Sequence, residues 1–177
     1  SKGEGLGNKF LSHIREVDAI IHLVRGFDSD KITHVNSKIN LVEDVETIKT
    51  EIILSDLDII QKKMEKGKKK LLNEKEIKIL EDKLKQLNDG KEVIADDKDE
   101  EKFLTTLGLL SIKPKIIVCN VDEESLAKGN SFTESVKKNY SDEKVVTICA
   151  DIEDQIMGLD NNEKETFMKE IGLNKTG

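Results

Sequence analysis

Three short apolar runs, rich in β-branched residues, lie far apart in the sequence and are bounded by polar residues. They cover residues 19–24, 116–119 and 145–148. Runs of this kind are typical of parallel strands that helices cover on both faces. The pattern therefore predicts an α/β fold with a small parallel sheet whose strands are buried.

Helical patterns flank these runs. Residues 8–16 precede the first run, residues 131–140 separate the second from the third, and residues 160–171 follow the third. A pair of parallel strands requires such a crossover segment between its members. Asp160 is a candidate N-cap of the last helix, because Glu163 follows it at the spacing of a capping box. We expect these helices to pack on the sheet.

A long stretch between the first and second runs has a different pattern. Two apolar stripes run along it, with the spacings of three and four residues that are typical of helices packed along one face. We expect an antiparallel helical hairpin that buries the stripes against each other, followed by a third helix at residues 99–110. The first stripe is Leu41, Val45, Ile48, Ile52 and Ile59, and the second is Ile77, Leu80, Leu84 and Leu87.

These patterns divide the chain into two predicted domains. Residues 1–41 and 111–177 form the α/β domain, and residues 42–110 form an inserted helical or coiled-coil domain. At 177 residues, the chain is long enough for one domain that carries a sizeable insertion. Pro114 precedes the second apolar run and is expected to fix the entry of the chain into that strand.

The composition narrows the class of protein. Hydrophobic residues make up 36% and charged residues 37% of the chain, which is typical of a protein rich in solvated helices. No apolar run approaches the roughly 20 residues of a membrane helix, and no export signal begins the chain, so we predict a cytoplasmic protein with no membrane partner. The net charge of -7 argues against nonspecific binding of polyanions by the whole chain. Cys119 and Cys149 are predicted to be free, buried thiols.

The sequence offers no catalytic site. The glycine-rich segment from Ser1 to Lys9 lacks the spacing of a phosphate-binding loop, and Phe10 stands where Ser or Thr is needed. No cluster of His, Ser or Cys is typical of nucleophilic catalysis. The three histidines, which are scattered and predicted to be surface or half-buried residues, are His13, His22 and His34.

Polar residues follow two of the predicted strands. Asn120 and Glu123 lie in the sequence Asn-Val-Asp-Glu after the second strand, and Cys149 and Ala150 follow the third. Ligands of open α/β sheets bind at the carboxyl ends of the strands, where an Asn can join neighbouring loops and an acid can accept hydrogen bonds from a base. The alternative is that these are ordinary turn and capping residues.

Taken together, these segments resemble the YchF family, the Obg-like ATPases, a branch of the Obg-related translation-factor class of P-loop NTPases. Residues 1–11 and 14–20 are similar to the stretch that runs from switch II into the next helix and strand. Residues 28–35 and 44–51 are similar to the following loop and to the start of the helical domain. Asn120, Val121 and Glu123 match the Asn-x-x-Glu that replaces the usual Asn-Lys-x-Asp.

The resemblance implies a fold and a function. The fold is part of a G-domain-like parallel sheet with an inserted helical hairpin, in an internal piece of a longer protein. The full-length protein would bind and hydrolyse ATP, or GTP, with Mg²⁺ and act at the ribosome. This chain would hold only the base-recognition side, with no catalytic residue or metal ligand and no nucleotide bound to it alone. The base-binding residues would be Asn120, Val121, Glu123, Cys149 and Ala150.

The base is expected to be adenine. Glu123 is one methylene longer than the Asp of the usual guanine-reading motif, and Val121 lacks the lysine stem that packs over the ring. Displacement of the carboxylate should weaken the discrimination of guanine.

A second function remains open. The hairpin would be a non-catalytic module that binds RNA, the ribosome or a protein partner through lysines at its predicted tip. Solvated turn lysines are the alternative, because no aromatic residues lie among them. These lysines are Lys62, Lys63, Lys66, Lys68, Lys69 and Lys70.

Overall fold

A computed structural model describes residues 13–27, 40–67 and 72–172. Most of the helix predicted at residues 8–16, and the motif at residues 28–35, lie outside the described residues. None of the described helices is long and apolar enough to cross a membrane. The strands are β1 (Ile20–Arg25), β2 (Lys115–Asn120) and β3 (Val145–Ile148). The helices are α1 (Leu41–Gly67), α2 (Glu74–Asn88), α3 (Lys98–Thr106), α4 (Glu123–Lys128), α5 (Ser131–Asn139), α6 (Ala150–Met157) and α7 (Asn161–Glu170).

The chain divides into two compact units. The helical unit consists of Ser1–Ile20 and Glu46–Pro114, and the sheet unit consists of Ile21–Val45 and Lys115–Gly177. Each unit buries its own apolar clusters. The α1 helix contributes its first residues to the sheet unit and the remainder to the helical unit.

The sheet unit contains the parallel sheet that the apolar runs predicted. Its strand order is β1-β2-β3. The β2 and β3 strands are parallel, and their register runs from Ile117 opposite Val145 to Asn120 opposite Ile148. Since side chains alternate between the faces of a strand, Ile117 and Cys119 share one face. The predicted α/β class and the three strands are confirmed.

One face of the sheet packs on an aliphatic cluster. Val24, Ile117 and Cys119 meet Val136 of α5 in this cluster, and all are nearly inaccessible to solvent. Leu41 and Val45 belong to the same cluster. The first two residues of the predicted hairpin stripe therefore pack in the sheet unit and not against the second stripe.

The first apolar run is only partly buried, so its prediction as a buried strand is wrong in that respect. Ile21 is 69% exposed and Leu23 is 60% exposed, whereas Val24 is 4% exposed. The reason is the alternation of side chains along β1, an edge strand of the sheet, which turns Ile21 and Leu23 to the face opposite Val24.

The α7 helix begins as the sequence predicted. Asp160 accepts hydrogen bonds from the backbone N–H groups of Asn162 and Glu163, and the Glu163 carboxylate accepts from the Asp160 N–H. This reciprocal arrangement satisfies backbone donors that have no partner within the helix. The predicted capping box is confirmed.

The helical unit has its own core, to which α1, α2 and α3 all contribute. Ile60 of α1 meets Leu80 and Leu87 of α2 and Leu104 of α3. Nearer the start of α1, Ile52 packs with Leu110 in a separate cluster. The apolar positions of α1 thus contact different partners along the length of the helix.

Several positions of the predicted stripes are less buried than expected. Ile77 is 37% exposed, although the second stripe predicted it to be buried. Ile59 is only half-buried, and its neighbour Ile60 takes the core position. Lys83 is fully buried on α2, at a position that the apolar pattern left out. A helix at 3.6 residues per turn drifts relative to a strict seven-residue repeat, so the buried face shifts along the helix.

The α3 helix ends earlier than predicted. It stops at Thr106, and Gly108 then adopts a φ of 76°, which a glycine reaches at little cost. Leu110 and Ser111 lie beyond the helix, and their backbone N–H groups each donate to the carboxylate of Asp56 at 2.8 Å. The Ser111 hydroxyl also donates to Asp56, at 2.6 Å. The Asp56 carboxylate therefore accepts hydrogen bonds from buried backbone N–H groups that have no partner within a helix.

Lys83 is a buried charge with several acidic neighbours. Its Nζ lies 2.7 Å from Glu100 Oε1, 3.1 Å from Asp82 Oδ2 and 3.3 Å from Asp96 Oδ2. Burial opposes the charged form, but hydrogen bonds to the three carboxylates outweigh it and raise the pKa of Lys83. Lys83 therefore contributes to the stability of the folded chain below the pKa of an unfolded lysine. This contribution is lost only as the pH rises through the pKa of Lys83 in the folded chain.

Replacing Lys83→Met should destabilise the chain by about 3 kcal/mol, because it leaves the nearly buried Glu100 carboxylate without its cation. Urea unfolding of the purified chain at pH 7 measures this change. Adding Glu100→Leu should restore most of the lost stability, since it removes the orphaned charge. The control is Lys85→Met, at an exposed position of the same helix, which should have little effect. Equal losses in the single and double variants would contradict the pairing.

Candidate functional site

The candidate site lies at the carboxyl edge of the sheet unit, where β2 and β3 end side by side. Asn120 is the last residue of β2 and is opposite Ile148, the last residue of β3. One residue on, the Val121 N–H donates to the Ile148 carbonyl at 2.8 Å. Because the strands are parallel and in this register, the two loops that follow them begin next to each other.

The Asn120 side chain joins these two loops. Its Oδ1 accepts a hydrogen bond from the Ala150 backbone N–H at 2.9 Å. Ala150 is exposed and is the first residue of α6, and Cys149 is the N-cap, with no side-chain capping bond. The N–H of Ala150, one of the residues expected to bind the base, thus donates within the protein.

Asp122 and Glu123 have different environments. Asp122 is the N-cap of α4, and its carboxylate accepts from the Ser125 N–H at 2.8 Å. Glu123 is the first residue of that helix and is exposed. Asp122 therefore has a capping role, whereas Glu123 is exposed at the start of the helix.

Val121 is directed into the protein. It is 2% exposed, and a Cβ placed on Gly26 would lie 3.1 Å from its Cγ1. Its surface available to a ligand is therefore almost nil, unlike that of Glu123.

Sequence reasoning missed the helices that begin at this edge. The α4 and α6 helices each follow directly on a strand, and both are short. The signal for α4 was Asp122 followed by Glu123 and Glu124, an N-cap with acids in the first turn. No comparable capping signal precedes α6, because its N-cap is a cysteine.

A small cavity opens beside Glu123. Its volume is about 270 Å³, and α4, α6 and the end of α7 line it. Glu124 and Lys128, which also line it, form an ion pair at 2.9 Å. Its walls thus combine charged side chains with apolar ones such as Ile152.

Both cysteines are free and buried, as predicted. Burial raises the pKa of the Cys119 thiol, although the charge of Lys137 acts in the opposite direction. A raised pKa keeps the thiol protonated at neutral pH and therefore unreactive. Cys119 is accordingly a residue of the core, on the buried face of β2.

The candidate lysines and histidines lie away from this edge in the sequence. Lys62 is exposed and pairs with Asp58 at 2.7 Å, and Lys63 is half-buried. Lys66 belongs to α1 by its backbone, whereas Lys68, Lys69 and Lys70 lie outside the described residues. Of the histidines, His13 is exposed and His22 is half-buried, and His34 lies outside the described residues.

Comparison with known proteins identifies the class and then the family. No family model matches the chain. A protein of Bacillus subtilis named ribosome-binding ATPase YchF is 37% identical over 190 residues, covering 100% of this chain and 51% of the relative. The protein of the same name from Escherichia coli O157:H7 is 38% identical over 186 residues, with the same coverage.

A solved structure agrees with these relatives. The Schizosaccharomyces pombe YchF GTPase superposes with a TM-score of 0.85 at 25% sequence identity, covering 99% of this chain and 51% of that one. The fold thus defines an α/β protein of the structural class to which that structure belongs. More particularly, the chain belongs to the YchF family, as the resemblance of its motifs predicted. It spans about half the length of these relatives.

The Asn120 link can be tested at a single amide. Replacing Asn120→Ala should speed hydrogen exchange of the Ala150 N–H roughly 5- to 10-fold, because a hydrogen bond worth about 1 kcal/mol is lost. Asn120→Asp is the matched control, since it keeps an acceptor oxygen at the same position and should preserve most of the protection. NMR-detected exchange on the purified chain measures both. Unchanged exchange in Asn120→Ala would contradict the link.

Proposed function

We propose that this chain carries the base-recognition side of a nucleotide site in a longer YchF-type protein that binds and hydrolyses ATP with Mg²⁺. The observation that carries the proposal is the hydrogen bond between Asn120 Oδ1 and the Ala150 N–H. It holds the two loops together at the edge where α/β sheets bind ligands. The relatives named ribosome-binding ATPase YchF support the activity.

The different environments of the candidate residues indicate different roles in recognising the base. With Oδ1 bonded to Ala150, Asn120 retains its Nδ2 donor, which can pair with a ring nitrogen that adenine and guanine share. Glu123 is exposed, and its carboxylate can accept from an amino group of the base. Val121 and Cys149 are buried, so we assign them to the backbone frame of the site. Discrimination between bases would therefore rest on Glu123.

The phosphates would be bound by another part of the full-length protein. The 177 residues of this chain include no glycine-rich loop with the spacing, lysine and hydroxyl residue that bind phosphates and Mg²⁺. Charged phosphates supply much of the binding energy of a nucleotide, through backbone N–H groups at a helix N-terminus. We therefore propose that this chain alone does not hydrolyse ATP.

The helical part is proposed to be an insertion. Residues 42–110 would form the inserted domain, with α1 and α2 as an antiparallel hairpin. Ile60 of α1 shares an apolar cluster with Leu80 and Leu87 of α2, which supports the pairing of these helices.

Replacing Glu123→Asp in the full-length protein should raise its affinity for GTP relative to ATP, by roughly 10-fold. The shorter side chain restores the carboxylate position that reads two guanine donors, and each hydrogen bond to a charged group is worth about 1.5–3 kcal/mol. Competition titrations of ATP against GTP measure the ratio. Glu124→Asp, the same change at the next exposed position, is the control. An unchanged ratio in Glu123→Asp would show that this carboxylate does not read the base.

We further propose a ribosome contact through the lysines near the end of α1, in the cytoplasm. The names of the relatives support ribosome binding, and clustered lysines suit a phosphate backbone. Three of these lysines, Lys68, Lys69 and Lys70, are consecutive in the sequence and provide the test of the contact.

Changing these three residues to glutamate should weaken co-sedimentation of the full-length protein with ribosomes at least 10-fold and flatten its salt dependence, because fewer counterions are released on binding. The matched control changes Lys91, Lys98 and Lys102, three exposed lysines elsewhere in the helical unit, to glutamate. Equal losses in both triple variants would indicate a general effect of charge and would contradict a local contact.

A further inference from the structure

A chain of hydrogen bonds crosses the carboxyl edge of the sheet and ends at the candidate base site. The Asn130 Nδ2 donates to the Gly26 carbonyl at 2.7 Å. The Gly26 N–H donates to the Asn120 carbonyl at 2.7 Å. Asn120 Oδ1 then accepts from the Ala150 N–H at 2.9 Å. Gly26, the residue after β1, thus accepts from the Asn130 side chain and donates to the Asn120 backbone carbonyl. The Asn120 side chain in turn accepts from Ala150, which lies just after β3.

Asn130 uses both ends of its amide. Its Oδ1 accepts from the Thr133 N–H at 2.9 Å and so caps α5. Its Nδ2 is the donor to Gly26. An N-cap alone requires only an acceptor, which Ser, Thr and Asp also provide. The donor to Gly26 is what makes asparagine specifically suited to this position.

Gly26 lies where a side chain has little room. A Cβ at this position would lie 3.1 Å from Val121 Cγ1 and 3.4 Å from the Asn120 carbonyl oxygen. The backbone of Gly26 therefore approaches the loop after β2 directly. Because the atoms here are closely packed, a shift of Gly26 must displace Asn120 or Val121.

We propose that Asn130 is a positioning residue of the nucleotide site, which sets the place of Asn120 through Gly26 and so determines how tightly the base is held. The inference rests on the proposed function, because Asn120 must contact the base for its position to matter. Asn130 itself would contact no part of the nucleotide. Replacing Asn130 should therefore weaken binding of the base and leave binding of the phosphates unchanged.

The test is the Asn130→Asp variant of the full-length protein, with ATP and inorganic tripolyphosphate as probes. Asp keeps the acceptor that caps α5, but it cannot donate to Gly26 and sets a carboxylate oxygen against that carbonyl. The ratio of ATP affinity to tripolyphosphate affinity should fall roughly 5- to 30-fold. A merely structural role would lower both affinities together and leave the ratio unchanged, which would overturn the proposal.

The control is Asn73→Asp, the same change at the N-cap of α2, where the asparagine accepts from the Glu76 N–H. This variant should keep the wild-type ratio. A second variant, Gly26→Ala, acts on the same contact from the other side, through its Cβ, and should lower the ratio as Asn130→Asp does. If Asn130→Asp fails to fold, Gly26→Ala decides the question.

The proposed function has its own control within this experiment. Asn120→Ala should abolish most of the preference for ATP over tripolyphosphate. If wild type shows no such preference, or Asn120→Ala retains it, the assignment of the base site fails, and this inference with it. If Asn120→Ala loses the preference while Asn130→Asp and Gly26→Ala retain it, the base site stands and the positioning role of Asn130 is wrong.

Discussion

The parallel ladder between β2 and β3 is the interaction on which the rest of the sheet unit depends. Its register sets Asn120 opposite Ile148, so the two strands end together. A slip of one residue would turn Ile117 and Cys119 from the aliphatic cluster to the opposite face, at the cost of their burial. The hydrophobic effect on one face therefore fixes the positions of the polar residues at the strand ends. The link from Asn120 to Ala150 is a consequence of that register.

Several polar side chains at this edge already make hydrogen bonds within the protein. Asp122 and Asn130 cap helices, and Asn120 holds a neighbouring loop. A group that is already hydrogen-bonded is held in one orientation, and preorganised groups bind without a further loss of conformational entropy. The exposed carboxylate of Glu123 differs from these residues, since no capping role restrains it. Fixed amides and one adaptable acid together make up the candidate site.

The helical unit shows a different use of polar residues. Asp56 and Lys83 are fully buried, in a unit whose main cluster consists of apolar residues. Asp56 satisfies backbone donors at Leu110 and Ser111, and Lys83 pairs with Glu100. Buried groups of this kind are costly when unpaired, so they favour one arrangement of the surrounding segments over others. The first of these contacts holds the segment that follows α3.

Much of the secondary structure follows from local pattern alone. The β-branched runs and their polar boundaries determined the strands, and Asp160 with Glu163 determined the start of α7. These features depend on neighbours in the chain, whose chemistry the sequence displays. The motif residues likewise determined the family, because sequence similarity requires no coordinates.

The sequence by itself thus determined the class of fold, the strands, the family and the edge of the sheet at which polar residues gather. Only the tertiary structure decided which apolar residues are buried, as the exposure of Ile21 and the burial of Val121 illustrate. It also decided that Lys83 lies in the core and that Asn130 reaches Gly26, which is distant in the sequence. The physical reason is that burial and hydrogen bonding depend on which distant segments meet, whereas periodicity reports only the preference of a segment for one face.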